Sequence, residues 1–309
     1  MEATMHTLLR LSVNALPALV FLMPAPAADQ ADTGVVSFCV IPDAHTYTGS
    51  LRHVPAIVEK INALPVQPNF VVSLGDNVSG GEDHDVIGDA ISYHKCIAAL
   101  NAPHYYVIGN HECIPIEYYK LLTWEQLLGA WGMQSRWYSS DIRGLHLCVV
   151  DSWSPLPTEA FAAVWQAQQE WLVADLAATD KPTVVFAHEA IGFQQEDLQD
   201  WIDTDNRKFW PAGNFFETTL QAHAGKIVGV FEGHKHKSLY KTQGGVTYHQ
   251  MGASHACNGQ FAQVFIDMQT RAWFVQGYPD VSPEQQDAKG EMQITYGDRS
   301  VMEKAIGHQ

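Results

Sequence analysis

Apolar residues along the chain come in short, nearly continuous runs, and most of these runs alternate with stretches of helical periodicity. Residues 35–41, 70–74, 104–108, 145–150, 182–187 and 227–231 are apolar at almost every position and of strand length. A run without polar alternation predicts a strand covered on both faces. Between them, Val54, Ile57, Val58 and Ile61 recur at helical spacing within 51–62, and Ile87, Ala90, Ile91, Cys96 and Ile97 do so within 87–97. Residues 161–178 predict an amphipathic helix with Val164, Trp165, Trp171, Leu172 and Leu176 on or near one face, and 215–223 a further helix. Residues 114–140 are aromatic and irregular, with a weak helical signal at 124–128. After 231 the texture changes to successive strands at 246–251, 261–266 and 273–276, separated by glycine- and asparagine-containing turns. From Pro279 the chain turns polar, and 279–309 is expected to be a loosely attached tail. The whole predicts one α/β layered domain over 35–278 with mixed sheets.

The strands end in an unusual way. Residues 35–41 lead to Asp43-Ala44-His45, 70–74 to Gly75-Asp76, 104–108 to Gly109-Asn110-His111-Glu112, 182–187 to His188, and 227–231 to Gly233-His234-Lys235-His236. Burying so many hydrogen-bonding groups at strand ends carries a desolvation cost that packing does not explain. In layered α/β folds, however, the carboxyl ends of the strands are where ligands bind. Imidazoles, carboxylates and one amide oxygen suit a borderline or hard divalent cation such as Zn, Mn or Fe. Asp43, His45, Asp76, Asn110, His111, His188, His234 and His236 exceed the needs of one tetrahedral ion and suffice for two ions sharing a carboxylate. Singly, each motif has a plain alternative, since an Asp after a strand commonly caps a helix or forms a turn.

Charge and cysteine content narrow the partners. A formal net charge of −16 argues against a broad grip on nucleic acid or on anionic membrane, while a small anionic substrate remains compatible if cations supply local positive charge. Arg10, the apolar stretch 11–23 and Ala25-Pro26-Ala27-Ala28 predict a cleaved export signal over residues 1–28, hence a periplasmic or extracellular protein with no stable membrane anchor after cleavage. The five cysteines are odd in number and include no C-x-x-C pair, which argues against a thiolate zinc site. Cys113 and Cys257 both fall in expected loops, which leaves a bridge between them open.

In combination and order, these motifs resemble those of the calcineurin-like metallophosphoesterases, whose pattern is D-x-H, G-D, G-N-H-D/E, H and G-H-x-H. The resemblance covers about residues 35–278. It implies a four-layer α/β/β/α sandwich with two mixed β-sheets, and two divalent metal ions. By position it implies that Asp43, His45 and His236 hold one ion, that Asn110, His188 and His234 hold the other, and that Asp76 bridges them. His111 becomes the non-ligand histidine that contacts the phosphate and helps protonate the leaving group. The implied reaction is hydrolysis of a small phosphodiester or phosphomonoester by a hydroxide bridging the ions. Ser79 stands where purple acid phosphatases carry a tyrosine ligand, and Ile108 where the protein serine/threonine phosphatases carry an arginine; both departures point to the small-molecule branch. The competing readings are a nucleoside-diphosphate-type pyrophosphatase resembling the ADP-ribose/CDP-alcohol enzymes, a metal-dependent hydrolase of carboxylic or amide bonds, and a non-catalytic metal-binding protein on the same scaffold. Tyr47, His84, Glu112, Phe193 and His255, in loops beside the motifs, are candidates for the pocket wall, whereas His53, His94, His104, His146, His223 and His249 read as structural.

Overall fold

The first strand shows why an uninterrupted apolar run is needed. In β1 (Val35–Ile41), Val36, Phe38 and Val40 enter one apolar layer while Cys39 and Ile41 enter another on the opposite face. The structure is a computed structural model, which describes residues 34–47, 49–117, 119–153, 159–192, 211–255, 259–278 and 295–307. The expected export signal, Phe193 and Cys257 lie outside the described residues; Cys113 is a buried free thiol.

In chain order, β1 is followed by α1 (Val54–Asn62), β2 (Phe70–Ser73), α2 (Val86–Ile97), β3 (His104–Tyr106), α3 (Asn110–Glu117) and α4 (Trp124–Trp131). Then come β4 (Tyr138–Ile142), β5 (Leu145–Val149), α5 (Glu159–Ala178), β6 (Thr183–Phe186), α6 (Pro211–Ala222) and β7 (Ile227–Glu232). The remainder is β8 (Leu239–Gln243), β9 (Val246–Gln250), β10 (Phe261–Asp267), β11 (Trp273–Tyr278), β12 (Tyr296–Gly297) and α7 (Arg299–Ile306). The strands form two six-stranded mixed sheets, ordered β12-β11-β10-β1-β2-β3 and β4-β5-β6-β7-β9-β8. β1, β2 and β3 run parallel, as do β5, β6, β7 and β9, and the other strands pair antiparallel at the flanks.

The sheets face each other across a core in which Phe38 stacks on Phe70 at 4.9 Å and meets Phe186 and Phe231 edge-on at 5.4 and 5.3 Å. α1, α2 and α4 cover the outer face of the first sheet through Ile57, Ile61, Tyr93, Ile97 and Leu127. Leu172, Leu176, Phe216 and Leu220 of α5 and α6 cover the second. The four-layer α/β/β/α order follows, and it leaves the carboxyl ends of both parallel strand sets at one edge of the sandwich.

Several local expectations need correction. Residues 295–307 are not a loose tail: β12 pairs with β11, and α7 buries Val301 and Ala305 against Phe265 and Phe274. The Lys304 ammonium lies 2.7 Å from the Asp267 carboxylate, which anchors the helix at its far end. β4 overlaps the end of the stretch expected to be irregular, and β8 is a strand that the sequence pattern does not predict. Both are polar edge strands, half solvated, so they lack the apolar signal of the central ones. The weak helical signal at 124–128 is a full helix to Trp131, held by a Thr123/Gln126 capping box and stopped by Gly132 at φ +68°. Val164, placed on the buried face of α5, is exposed.

Candidate metal centre

Each candidate ligand follows a strand or opens the element after it. Asp43 and His45 come after β1, Asp76 after β2, His188 after β6, and His234 and His236 after β7, while Asn110 and His111 open α3 close beyond β3. The loops zip together through the backbone: His45 N–H donates to the Asp76 carbonyl at 2.8 Å, Thr46 N–H to Asn77 at 3.0 Å, and Ser79 N–H to Thr46 at 2.7 Å. Among the described residues, nine non-glycine residues have positive φ, and five of them are Asp43, His45, Asp76, His234 and His236. Each left-handed residue costs on the order of 1 kcal/mol, so the fold stores backbone strain at the very side chains expected to act.

Glycines make the close approach possible. A side chain on Gly75, at φ +87°, would put its Cβ 2.5 Å from His188 Nδ1; one on Gly109 would stand 2.3 Å from the Asp76 amide; one on Gly233 would stand 2.7 Å from Asp43 Oδ2. Glu112, fully buried, ties two of the loops: its carboxylate accepts from the N–H groups of Asp76, Asn77, Val78 and Gly109 at 2.7–3.2 Å. Burial and the neighbouring Asp76 charge push the Glu112 pKa up to about 7. It is a buried clamp on the two loops, with no surface to offer as a wall.

The donor atoms converge in two groups that share one oxygen. His45 Nε2 lies 3.4 Å from His236 Nε2, which is itself 3.4 Å from Asp43 Oδ1, and Asp76 Oδ2 is 3.6 Å from His45 Nε2. On the other side, Asn110 Oδ1 lies 3.0 Å from His188 Nε2 and 2.9 Å from His234 Nδ1, and Asp76 Oδ2 is 3.2 Å from His188 Nε2. His188 Nδ1 donates to the Leu74 carbonyl at 2.7 Å, so in a neutral ring Nε2 presents a bare lone pair to two oxygens. Something positive must stand between these atoms, either a proton or a cation. Burial pulls the His188 pKa down, but the Asp76 and Asp43 carboxylates outweigh it and raise it to about 10, while Asp76 is held well below the carboxylate range despite its own burial. Burial lowers His45 to about 3 and, with His188 and Lys235 nearby, drives His234 well down, which keeps both rings neutral. A buried anion surrounded by lone pairs fits divalent cations, and the nitrogen and oxygen donor set is the one such cations prefer.

His111 sits differently. Its Nδ1 donates to the Ser79 carbonyl, its backbone N–H donates to Asp76 Oδ1 at 2.9 Å, and its Nε2 stands 3.9 Å from Asp76 Oδ2. Of the candidate wall residues, His255 packs directly on His45 and His236 at 4.5 and 4.8 Å between ring centroids. Tyr47 and His84 meet edge-on at 6.0 Å as neighbours of the first motif, with Arg52 stacked 4.9 Å over Tyr47.

Three supporting residues gave no pattern in the sequence. Ser152, beyond β5, accepts through Oγ from the N–H groups of His188 and Glu189 at 3.1 and 2.8 Å. Glu189 Oε1 stands 4.0 Å from His234 Nε2, and Gln250 donates to the Gly233 carbonyl beneath the last motif. Isolated Ser, Glu and Gln residues carry no spacing signal, so only the fold exposes them. Four of the six histidines read as structural have such roles: His104 bonds Ser73, His94 bonds Tyr106, His146 bonds Asp141 and Asp175, and His249 bonds Tyr296.

Known proteins share this architecture. The family model of calcineurin-like phosphoesterases matches residues 36–238. Among solved structures, the purple acid phosphatase PPD1 of yellow lupin (Lupinus luteus) superposes at TM-score 0.53 and 14% identity over 82% of this chain and 52% of its own. This chain thus spans about half the length of that relative. GAP50, the anchor in the inner membrane complex of Plasmodium, superposes at TM-score 0.55 and 12% identity over 89% of this chain and 94% of its own. No curated protein sequence matches the chain. At these identities the structural likenesses establish the fold alone.

Proposed function

The chain belongs to the calcineurin-like phosphoesterase family, and from that premise we propose that it is a two-cation hydrolase of a small phosphoester. The observation that carries this reading is the shared oxygen: Asp76 Oδ2 stands within 3.2 Å of His188 Nε2 and 3.6 Å of His45 Nε2, joining two donor groups. In this reading Asp43, His45 and His236 hold one ion, Asn110, His188 and His234 the other, and Asp76 both. Divalent cations held there (Mn, Zn or Fe) would supply positive charge for the phosphoryl oxygens and lower the pKa of a water.

The rest is the work of side chains. Asp76 is buried and takes the His111 N–H through Oδ1, which leaves Oδ2 turned to both clusters. Because the Ser79 carbonyl accepts a hydrogen bond from His111 Nδ1, Nε2 is the free ring nitrogen, and only with the ring doubly protonated would it carry the proton that goes to the departing oxygen. Glu112 keeps the loops of Asp76 and Asn110 in register while touching neither substrate nor cation. The acidic chain favours a compact substrate over a long polyanion. The N-terminal pattern of Arg10, an apolar stretch and small residues supports action outside the cytoplasm.

A pyrophosphate substrate is served by the same cluster, and the fold alone does not imply turnover, since function resides in sites grafted on folds. Rate measurements decide both points. Metal-stripped protein is reconstituted with Mn, Zn or Fe and assayed on p-nitrophenyl phosphate, bis(p-nitrophenyl) phosphate and a nucleoside diphosphate ester. Cation-dependent turnover of at least one is expected, abolished by Asp76→Asn. His111→Ala is expected to slow turnover most on the poorest leaving group while cations stay bound. Cation binding with no turnover of any ester would support the non-catalytic alternative instead.

A further inference from the structure

His255 belongs to none of the five motifs, lies in the loop after β9, and packs on His45 and His236. Its ring is oriented from the backbone: Nδ1 donates to the Asp43 carbonyl at 3.0 Å, and its own amide approaches the same oxygen at 3.3 Å. A carbonyl only accepts, so Nδ1 carries the proton and Nε2 keeps its lone pair. This arrangement is characteristic of ligating histidines, in which one ring nitrogen is bonded to an outer carbonyl and the other faces the metal. One nitrogen each of His45, His236 and His255 lie within 4.8 Å of one another. The three rings meet edge to face: His45–His255 at 4.5 Å, His236–His255 at 4.8 Å and His45–His236 at 5.4 Å. Packing alone would favour an apolar side chain here, because gathering three imidazole nitrogens in a half-buried corner costs desolvation that only a shared positive ligand returns.

We propose that His255 is a further ligand of the cation held by Asp43, His45 and His236, giving that position three imidazoles. This inference rests on the two-cation reading above. A third imidazole in place of water shifts the preference of the position towards zinc, iron or nickel and away from magnesium and manganese, which favour oxygen donors. The second position, with two imidazoles and an amide oxygen, stays less selective.

The full chain, stripped of metal, is titrated with Zn²⁺ and separately with Mn²⁺ by calorimetry, as wild type, His255→Ala and His255→Gln. The visible absorption of the Co²⁺-loaded forms is recorded alongside. The wild type is expected to bind two ions. Both variants are expected to lose affinity for Zn²⁺ at one site by at least the ~10–100-fold that loss of an outer partner costs, with a smaller change for Mn²⁺ and an altered Co²⁺ spectrum. Two ions bound by the variants at wild-type affinity, with an unchanged Co²⁺ spectrum, would overturn the proposal and leave His255 as a wall residue. A wild type that binds no ion would overturn the two-cation reading itself. Should the alanine variant fail to fold, which melting in EDTA reveals, the glutamine variant decides the question, since it keeps the bulk and a hydrogen-bonding group but has no imidazole.

Discussion

Gly75→Ala is the perturbation that most sharply separates backbone strain from site geometry. Gly75 has φ +87°, so any L-residue there carries a left-handed penalty of about 1–2 kcal/mol. The added Cβ also lands 2.5, 2.7 and 2.9 Å from Nδ1, Cγ and Cβ of His188, a ring with no exposed surface. The ring has to retreat towards ordinary contact at 3.4 Å, which stretches its 2.7 Å bond to the Leu74 carbonyl and draws Nε2 away from Asp76 and Asn110. Overpacking of this kind costs about 1–3 kcal/mol. The total, about 2–5 kcal/mol, corresponds to a fall in Tm of roughly 3–8 °C for a chain of this size. Gly132→Ala is the matched control: Gly132 has φ +68° with nothing within 4 Å of its added Cβ. It suffers the backbone penalty alone, about 1–2 kcal/mol. Scanning calorimetry in EDTA measures the stability difference, and Zn²⁺ titration measures the effect on the site. Gly75→Ala should melt well below Gly132→Ala and lose affinity for one ion, whereas Gly132→Ala keeps both ions. Equal melting points and equal metal affinities would refute the idea that Gly75 is there for His188.

Further outcomes follow from the same geometry. Ser152→Ala orphans the buried N–H groups of His188 and Glu189, so it should cost about 2 kcal/mol in urea unfolding and weaken metal binding; an unchanged midpoint would remove Ser152 from the support of the site. The His146 pKa is raised by its bond to Asp175, against burial and with help from Asp141. Its stabilising contribution is therefore complete below about pH 6.5 and disappears as pH rises through the raised folded value. The stability gap between wild type and His146→Gln should be wide at pH 6 and close towards alkaline pH, and a gap that widens would contradict the pairing. Val301→Ala should cost about 1–2 kcal/mol through methyl groups lost against Phe265 and Phe274; no change would mean that α7 does not dock.

The central architecture is legible in the sequence because it is buried twice over. Strands such as β1, β2 and β7 are apolar at almost every position, and their abrupt polar ends mark the site by residue type alone. Legibility fails where burial is partial. Tyr138–Ile142 and Leu239–Gln243 form edge strands whose residues are largely half solvated. α7 docks with only Val301 and Ala305 fully inside, too few to mark a helix in a polar stretch. Within the site, motif residues are readable by type and spacing, but their partners are not. Glu112 reads either as a wall residue or as support for a neighbour, and only the fold shows that it clamps four amides. His255 meets His45 although the two lie far apart in the chain, and a contact that exists only once two loops fold together leaves no periodic trace in the sequence.

The two-cation centre is tested most directly by soaking crystals of the full chain in Zn²⁺ and locating the ions by anomalous scattering. Two peaks about 3.5–4 Å apart are predicted, one among Asp43, His45 and His236, the other among Asn110, His188 and His234, with Asp76 touching both. A single peak, or peaks that leave Asp76 without a cation, would contradict the two-cation centre.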